Sequence, residues 1–234
     1  MKLLFTATAM LSLTVALAAC APAQSVETID NTSEVVKVSA PQTASISKTG
    51  PRAPFKSTRN VGLEELCVAG GCFWCVEADF EKVDGVKEAI SGYTGGGLEA
   101  PTYRKVVTNR TGHYEAVKIV YDPKVTSYRK LIDHYWKTVD PTDTRGQFCD
   151  KGESYRTAIF ATPEQRRDAE KSLKKITASK PFSADIVTPI LPAVTFYEAE
   201  DYHQDYYKKS SFRYNQYRNG CGRDRTLRRL WGEG

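Results

Sequence analysis

Apolar positions between residues 64 and 208 recur at two spacings, near 2 and near 3.6, and the switches between them mark the elements. Residues 64–69 (Glu-Glu-Leu-Cys-Val-Ala) form a short run that Gly70-Gly71 stops, which predicts a strand ending at a tight turn. Apolar residues at 72, 73, 76, 80 and 83 then follow a helical spacing, so Cys72 falls at a strand-to-helix junction. Residues 86–93 read as a second strand closed by Gly95-Gly96-Gly97, and 102–108 as a short helix after Pro101. Strict alternation over 114–121 marks a half-buried strand that ends at Asp122-Pro123. Ser127 offers an N-cap for a helix to about Val139, stopped before Pro141. Residues 155–161 are another strand, and Thr162-Pro163 starts a helix to about Thr177. Short strands at 186–191 and 194–197 precede an acidic, tyrosine-rich helix over 199–208, and a coil-rich tail follows. Strands and helices interleave at spacings too short for a doubly wound parallel sheet. The pattern favours an α+β fold, a mostly antiparallel sheet flanked by helices in a two-layer sandwich.

Upstream the pattern changes. Lys2 opens an almost wholly apolar and small stretch, 3–18, closed by Leu17-Ala18-Ala19-Cys20. It is too short and wrongly flanked for a membrane span, and reads as an export signal. The residues before Cys20 resemble a bacterial lipobox, in which Cys20 becomes the lipidated first residue; an ordinary signal peptide cut nearby is the other reading. Residues 20–60 are rich in Ser, Thr, Ala, Pro and Gln, and cannot bury enough surface to offset their ordering entropy. The expected organisation is a lipoprotein signal peptide at 1–19, a flexible tether at 20–60 and one folded domain at 61–234. The chain would be exported to the cell envelope and held by lipid to a bacterial membrane, facing the periplasm.

Composition narrows the function. With 234 residues, 41% of them hydrophobic, the chain can build one well-cored domain plus appendages, which excludes two full catalytic domains. The formal charge is +5, and Arg218, Arg223, Arg225, Arg228 and Arg229 supply much of the excess. They form neither a known nucleic-acid motif nor a long stripe, so a nucleic-acid partner is set aside.

Cys72 carries the clearest chemistry. A cysteine after two glycines, in the first turn of a helix, faces unpaired backbone N–H groups and the positive end of the helix dipole, which favours its thiolate. Cys67 lies inside a strand and reads as an inert core residue. Cys72-Phe73-Trp74-Cys75 is formally a C-x-x-C. Zinc would need a second ligand pair, and Cys149 and Cys221 are isolated with no spaced histidine, so no metal is expected. A thiol-disulfide oxidoreductase acting through Cys72 and Cys75 is the serious alternative, although Phe73 and Trp74 are bulky for such a pair.

Gly70-Gly71-Cys72-Phe73-Trp74 with Val76-Glu77 resembles the signature of peptide methionine sulfoxide reductase A. The resemblance continues through Gly92-Tyr93-Thr94-Gly95-Gly96, Pro101-Thr102-Tyr103, Thr111-Gly112-His113-Tyr114-Glu115, Asp150-Lys151-Gly152, Tyr155-Arg156-Thr157 and Ala199-Glu200-Asp201-Tyr202-His203-Gln204, in the family's order. It implies a ferredoxin-like fold and reduction of methionine sulfoxide, free or in proteins, with preference for the S epimer. Cys72 would be the nucleophile, Phe73 and Trp74 the walls for the substrate methyl group, and Glu115 the acid. Tyr103 and Tyr155, with Asp150, would bind the sulfoxide oxygen and the substrate backbone. Sulfoxide oxygen leaves poorly unless protonated, which is why an acid and phenols must converge on it. A second thiol must then condense with the Cys72 sulfenic acid. Gly220-Cys221-Gly222 fits a family role for a flexible tail cysteine, so the expected order of resolving candidates is Cys221, then Cys149, then Cys75. Cys75 and Cys149 depart from the family's usual glycine and asparagine. No bound cofactor is implied; electrons would come from a thioredoxin-like donor, and the enzyme would act as a monomer.

Overall fold

The computed structural model describes residues 62–232, so the export signal, Cys20 and the whole tether lie outside the described residues. In chain order the strands are β1 (Glu64–Gly70), β2 (Val86–Thr94), β3 (Tyr114–Tyr121), β4 (Gly146–Gln147), β5 (Asp150–Lys151), β6 (Thr157–Ala161), β7 (Ile190–Pro192) and β8 (Tyr197–Glu198). The helices are α1 (Phe73–Phe80), α2 (Tyr103–Val106), α3 (Tyr128–Thr138), α4 (Pro163–Ser179), α5 (Tyr206–Lys209), α6 (Ser211–Gly220) and α7 (Arg223–Trp231). None of the described helices is long and apolar enough to cross a membrane.

Six strands form one sheet in the order β7-β6-β1-β3-β2-β8, and β4 and β5 make a separate two-stranded ribbon. β1 lies between antiparallel partners β3 and β6, whereas β7 joins β6 in parallel. The sheet is therefore mixed, where the sequence pattern led to a mostly antiparallel one. The reason is α4, whose seventeen residues are enough to carry the chain back across the sheet and lay β7 alongside β6.

β1 reads as a continuous apolar run because both of its faces are covered. Leu66 and Val68 join a core with Val76 and Phe80 of α1 and Leu131, Ile132, Tyr135 and Trp136 of α3. Cys67 and Ala69 point the other way, into a smaller cluster with Ala116, Ala158 and Phe160. The predicted caps hold: Ser127 Oγ accepts Lys130 N–H, and Thr162 forms a capping box with Gln165.

Two expectations at the carboxyl-terminal side are corrected. The helix expected over 199–208 is reduced to α5, and turns replace its first part. There the side chains turn inward and compete with the helix ladder: Glu200 accepts Tyr103 N–H at 2.9 Å, and Gln204 exchanges hydrogen bonds with Ser91 N–H and C=O, both 2.9 Å. The tail expected as coil is helical, forming α6 and α7. Polar ties and a disulfide hold α6, which lacks an apolar stripe, while Trp231 of α7 packs against the core. Arg218 bridges Asp79 and Asp224 at 2.8 and 2.6 Å, and Cys221 is bonded to Cys149.

Candidate active site

The nucleophile turn is held from both sides. Gly71 has φ +80°, and a Cβ there would stand 2.5 Å from Gln147 Cβ, so only glycine fits. Tyr135 Oη donates to Ala69 O at 2.7 Å, and the buried Arg223 donates to Gly70 O at 3.1 Å and to Thr138 O at 2.7 Å. Cys72 is thus fixed as the N-cap residue of α1, with its carbonyl accepting Cys75 and Val76 N–H.

Cys72 and Cys75 are 6% and 2% exposed, both free thiols in one buried cluster. Helix-terminus position alone suggested an easily ionised Cys72, but burial dominates. Desolvation, the neighbouring Cys75 and the nearby Glu115 carboxyl push the Cys72 thiol up, against a hydrogen bond from Tyr217 that lowers it. The same pairing brings Cys75 down to about 7, through its bond with Cys72 and then the Arg223 and Arg218 guanidinium groups. Cys67 is an inert core thiol: burial pushes it far above its ordinary range.

Glu115 on β3 is 2% exposed and accepts the Phe73 N–H at 3.1 Å, one residue beyond the nucleophile. Burial raises its carboxyl to about 8, helped by the nearby Asp150 and opposed by the Phe73 N–H and the Tyr155 hydroxyl. Burial raises the Tyr103 phenol on α2 to about 12, against a lowering contribution from Tyr155, so it remains a proton donor at neutral pH. One acid and two phenols therefore converge beside Cys72.

The aromatic wall comes from both ends of the domain. Phe73 packs on Tyr103, Tyr93 and His203, with ring centroids 6.4, 5.9 and 4.9 Å apart. The Trp74 indole stacks on Tyr206 at 3.9 Å and donates to His203 Nδ1 at 3.0 Å. Burial holds the His203 imidazole down to about 4, so it stays neutral and keeps that acceptor. Glu200 receives Tyr93 Oη at 2.8 Å as well as Tyr103 N–H, which orients α2.

Cys72, Phe73, Trp74, Tyr103, Glu115, Asp150 and Tyr155 are thus brought together. Cys221 and Cys149 are bonded to each other, because α6 folds back over the loop before β5, so neither is a free thiol ready for Cys72. Of the three candidates only Cys75 is a free thiol in its cluster. Sequence reasoning gave no role to His203, Glu200, Tyr206, Tyr217 or Arg223; only the block around His203 carried a signal, as part of the family pattern.

A buried acid, phenol donors and a close thiol pair define a thiol-based oxidoreductase. The family model for peptide methionine sulfoxide reductase matches residues 64–234. Peptide methionine sulfoxide reductase MsrA 2 of Caulobacter vibrioides is 49% identical, covering 81% of this chain and 95% of the relative. The Bacillus licheniformis MsrA is 54% identical over 70% of this chain and 91% of its own length. Among solved structures, methionine sulfoxide reductase A of Corynebacterium diphtheriae superposes with a TM-score of 0.58 at 32% identity, covering 69% of this chain and 83% of that one. Reduced Mxr1 of Saccharomyces cerevisiae gives 0.60 at 30%, covering 64% and 87%. The chain belongs to the peptide methionine sulfoxide reductase family and is an oxidoreductase acting on methionine sulfoxide.

The raised carboxyls set a stability profile. Glu77, buried on α1, accepts from Ser91 Oγ and Asp205 N–H, and burial lifts it to about 7. Glu77 and Glu115 both hold protons in the folded state above the ordinary carboxyl value of 4.5. These two carboxyls thus bind more protons in the folded chain than in the unfolded one between pH 4.5 and about 7–8, and their contribution to stability falls as pH rises through that window, offset in part by His203 below pH 6.5, whose folded value is lowered. The slope is up to about 1.4 kcal/mol per pH unit for each group. Urea midpoints at pH 5, 6.5 and 8 should decline, less steeply in Glu115→Gln; a rising series would mean that both carboxyls are ionised when folded.

Proposed function

We propose that the chain reduces the S epimer of methionine sulfoxide, free or in proteins, with Cys72 as nucleophile, Glu115 as acid and Cys75 as the resolving thiol. The observation that carries this reading is the Glu115 carboxyl, buried, raised to about 8 and bonded to the residue that follows Cys72. Glu115 gives its proton to the sulfoxide oxygen while Tyr103 and Tyr155 donate hydrogen bonds to it. The Cys72 sulfur attacks the substrate sulfur, the S–O bond breaks, and the oxygen ends on Cys72 as sulfenic acid as methionine leaves. Two electrons pass from Cys72 to the methionine sulfur. Phe73 and Trp74 enclose the methyl group. The Cys75 sulfur then attacks the sulfenic acid, water departs, and a Cys72–Cys75 disulfide forms. A thioredoxin-like dithiol restores both thiols. A close thiol pair would also serve plain disulfide exchange, but the family match favours methionine sulfoxide as the substrate.

The test is a single turnover: prereduced full chain, methionine-S-sulfoxide and no external reductant, scored for methionine. At least about one equivalent supports the reading; none from folded protein rejects it. Cys75→Ser should still release one equivalent but retain a dimedone-trappable sulfenic acid at Cys72, whereas the parent protein yields a Cys72–Cys75 disulfide by peptide mapping. If the variant forms an intramolecular disulfide at the parent rate, resolution belongs to another cysteine. The leader and Cys20 further support export and lipid anchoring in the envelope, and Cys20→Ala would then free the chain from membranes.

A further inference from the structure

Tyr217 has no part in the roles above, yet its side chain packs against the cluster that holds the nucleophile. Its hydroxyl donates to Asp150 Oδ2. Its ring meets Trp74 edge-on at 5.8 Å and packs on the cluster of Cys72, Cys75 and Tyr214. Two further ties fix it. One turn on, Cys221 N–H returns to Tyr217 O at 2.9 Å, and Cys221 is bonded to Cys149, the neighbour of Asp150. The disulfide therefore brackets the Tyr217–Asp150 hydrogen bond.

A phenol has one proton to donate, and beside the Asp150 carboxylate the cluster offers this one a second acceptor, the Cys72 sulfur. Two free thiols buried in one cluster disfavour a second negative charge, so a proton is shared between them. Attack on the sulfoxide needs the pair's one charge on Cys72, while resolution needs it on Cys75, toward which Arg223 and Arg218 draw it. We propose that Tyr217 is a further catalytic residue, which turns its hydroxyl from Asp150 to the Cys72 sulfur and so holds the pair's charge on Cys72 for attack. In this step the Cys72 S–H bond breaks, a Cys75 S–H bond forms, and Tyr217 keeps its own proton. Once Cys72 carries the oxygen, Tyr217 returns to Asp150, and Cys75 gives its proton to the hydroxyl that leaves as water.

The proposal rests on Cys72 as the nucleophile. The other ionisable groups facing the thiol pair are Glu115 of β3, Tyr103 of α2, Tyr155, Asp79 of α1, Tyr214 and Arg218 of α6, and Arg223 of α7. The test leaves all of these in place. Full chain with the Cys149–Cys221 bond intact and Cys72 and Cys75 reduced is treated with substoichiometric iodoacetamide from pH 6 to 9, and the ratio of Cys72 to Cys75 alkylation is read by peptide mapping. Tyr217→Phe keeps the ring on Trp74 but removes the hydroxyl. The ratio should shift toward Cys75 by about tenfold or more, and single-turnover methionine release should slow by roughly 10- to 100-fold. Asp150→Asn removes the competing carboxylate, so the ratio should shift the opposite way, toward Cys72. If Tyr217→Phe leaves the ratio unchanged, or both variants move it in one direction, the hydroxyl is only structural and the proposal is wrong. If the parent protein shows no Cys72 alkylation and releases no methionine, the nucleophile assignment fails and takes the proposal with it.

Discussion

Cys72→Ser is expected to abolish methionine release in a single turnover, by at least about 10⁴-fold, while the chain stays folded. The serine hydroxyl is a far weaker nucleophile than a thiolate and has no route to a sulfenic acid. Cys75 remains, and it is the thiol held down to about 7, so ionisation alone would nominate it as the substitute. Position denies it that role. Glu115 is bonded to the N–H that directly follows Cys72, whereas Cys75 lies further along α1, 2% exposed and packed with Tyr214. Residual release above about one percent of the parent rate would show that Cys75 reaches the sulfoxide and that acid placement counts for less than argued.

Glu115→Gln should lower the single-turnover rate by about 10²- to 10⁴-fold. Glutamine can still accept the Phe73 N–H, so the turn keeps its shape, but it has no acidic proton to give. The pH profile supplies a second reading. The acid works in its protonated form and its folded value is about 8, so the parent rate should hold up to about pH 8 and fall about tenfold per unit above it. The variant should lack that descending limb. A parent rate that rises through pH 8 would instead assign the limiting ionisation to the thiol pair.

The local half of this site was legible in the sequence because its parts are consecutive. Gly70-Gly71 after an apolar run forces the turn, and the helical spacing from Cys72 places the sulfur at its end. Tyr103, Glu115, Asp150 and Tyr155 were reachable only through family resemblance, since a glutamate in an alternating strand gives no sign of which face it takes. Tyr217, Arg223 and the Cys149–Cys221 bond were not legible. The disulfide joins residues 72 positions apart, and α6 buries only Tyr214, so no apolar stripe announces that helix; α7 carries Leu227, Leu230 and Trp231 at helical spacing among its arginines. The stretch before α5 misled for a related reason: its composition suits a helix, but Glu200 and Gln204 form tertiary bonds that a helix would forgo.

The Gly70 carbonyl and the Arg223 guanidinium that caps it are 153 positions apart. At roughly 5–20 residues per second a ribosome delivers Cys72 about 8–30 s before Arg223. Until residues 211–231 arrive, the growing chain has neither Tyr214 and Tyr217 over its two thiols nor a guanidinium beside them. The last-made helices complete the site, and a chain stopped short of residue 211 would carry every signature residue around Cys72 yet present an ordinary pair of open thiols to any oxidant.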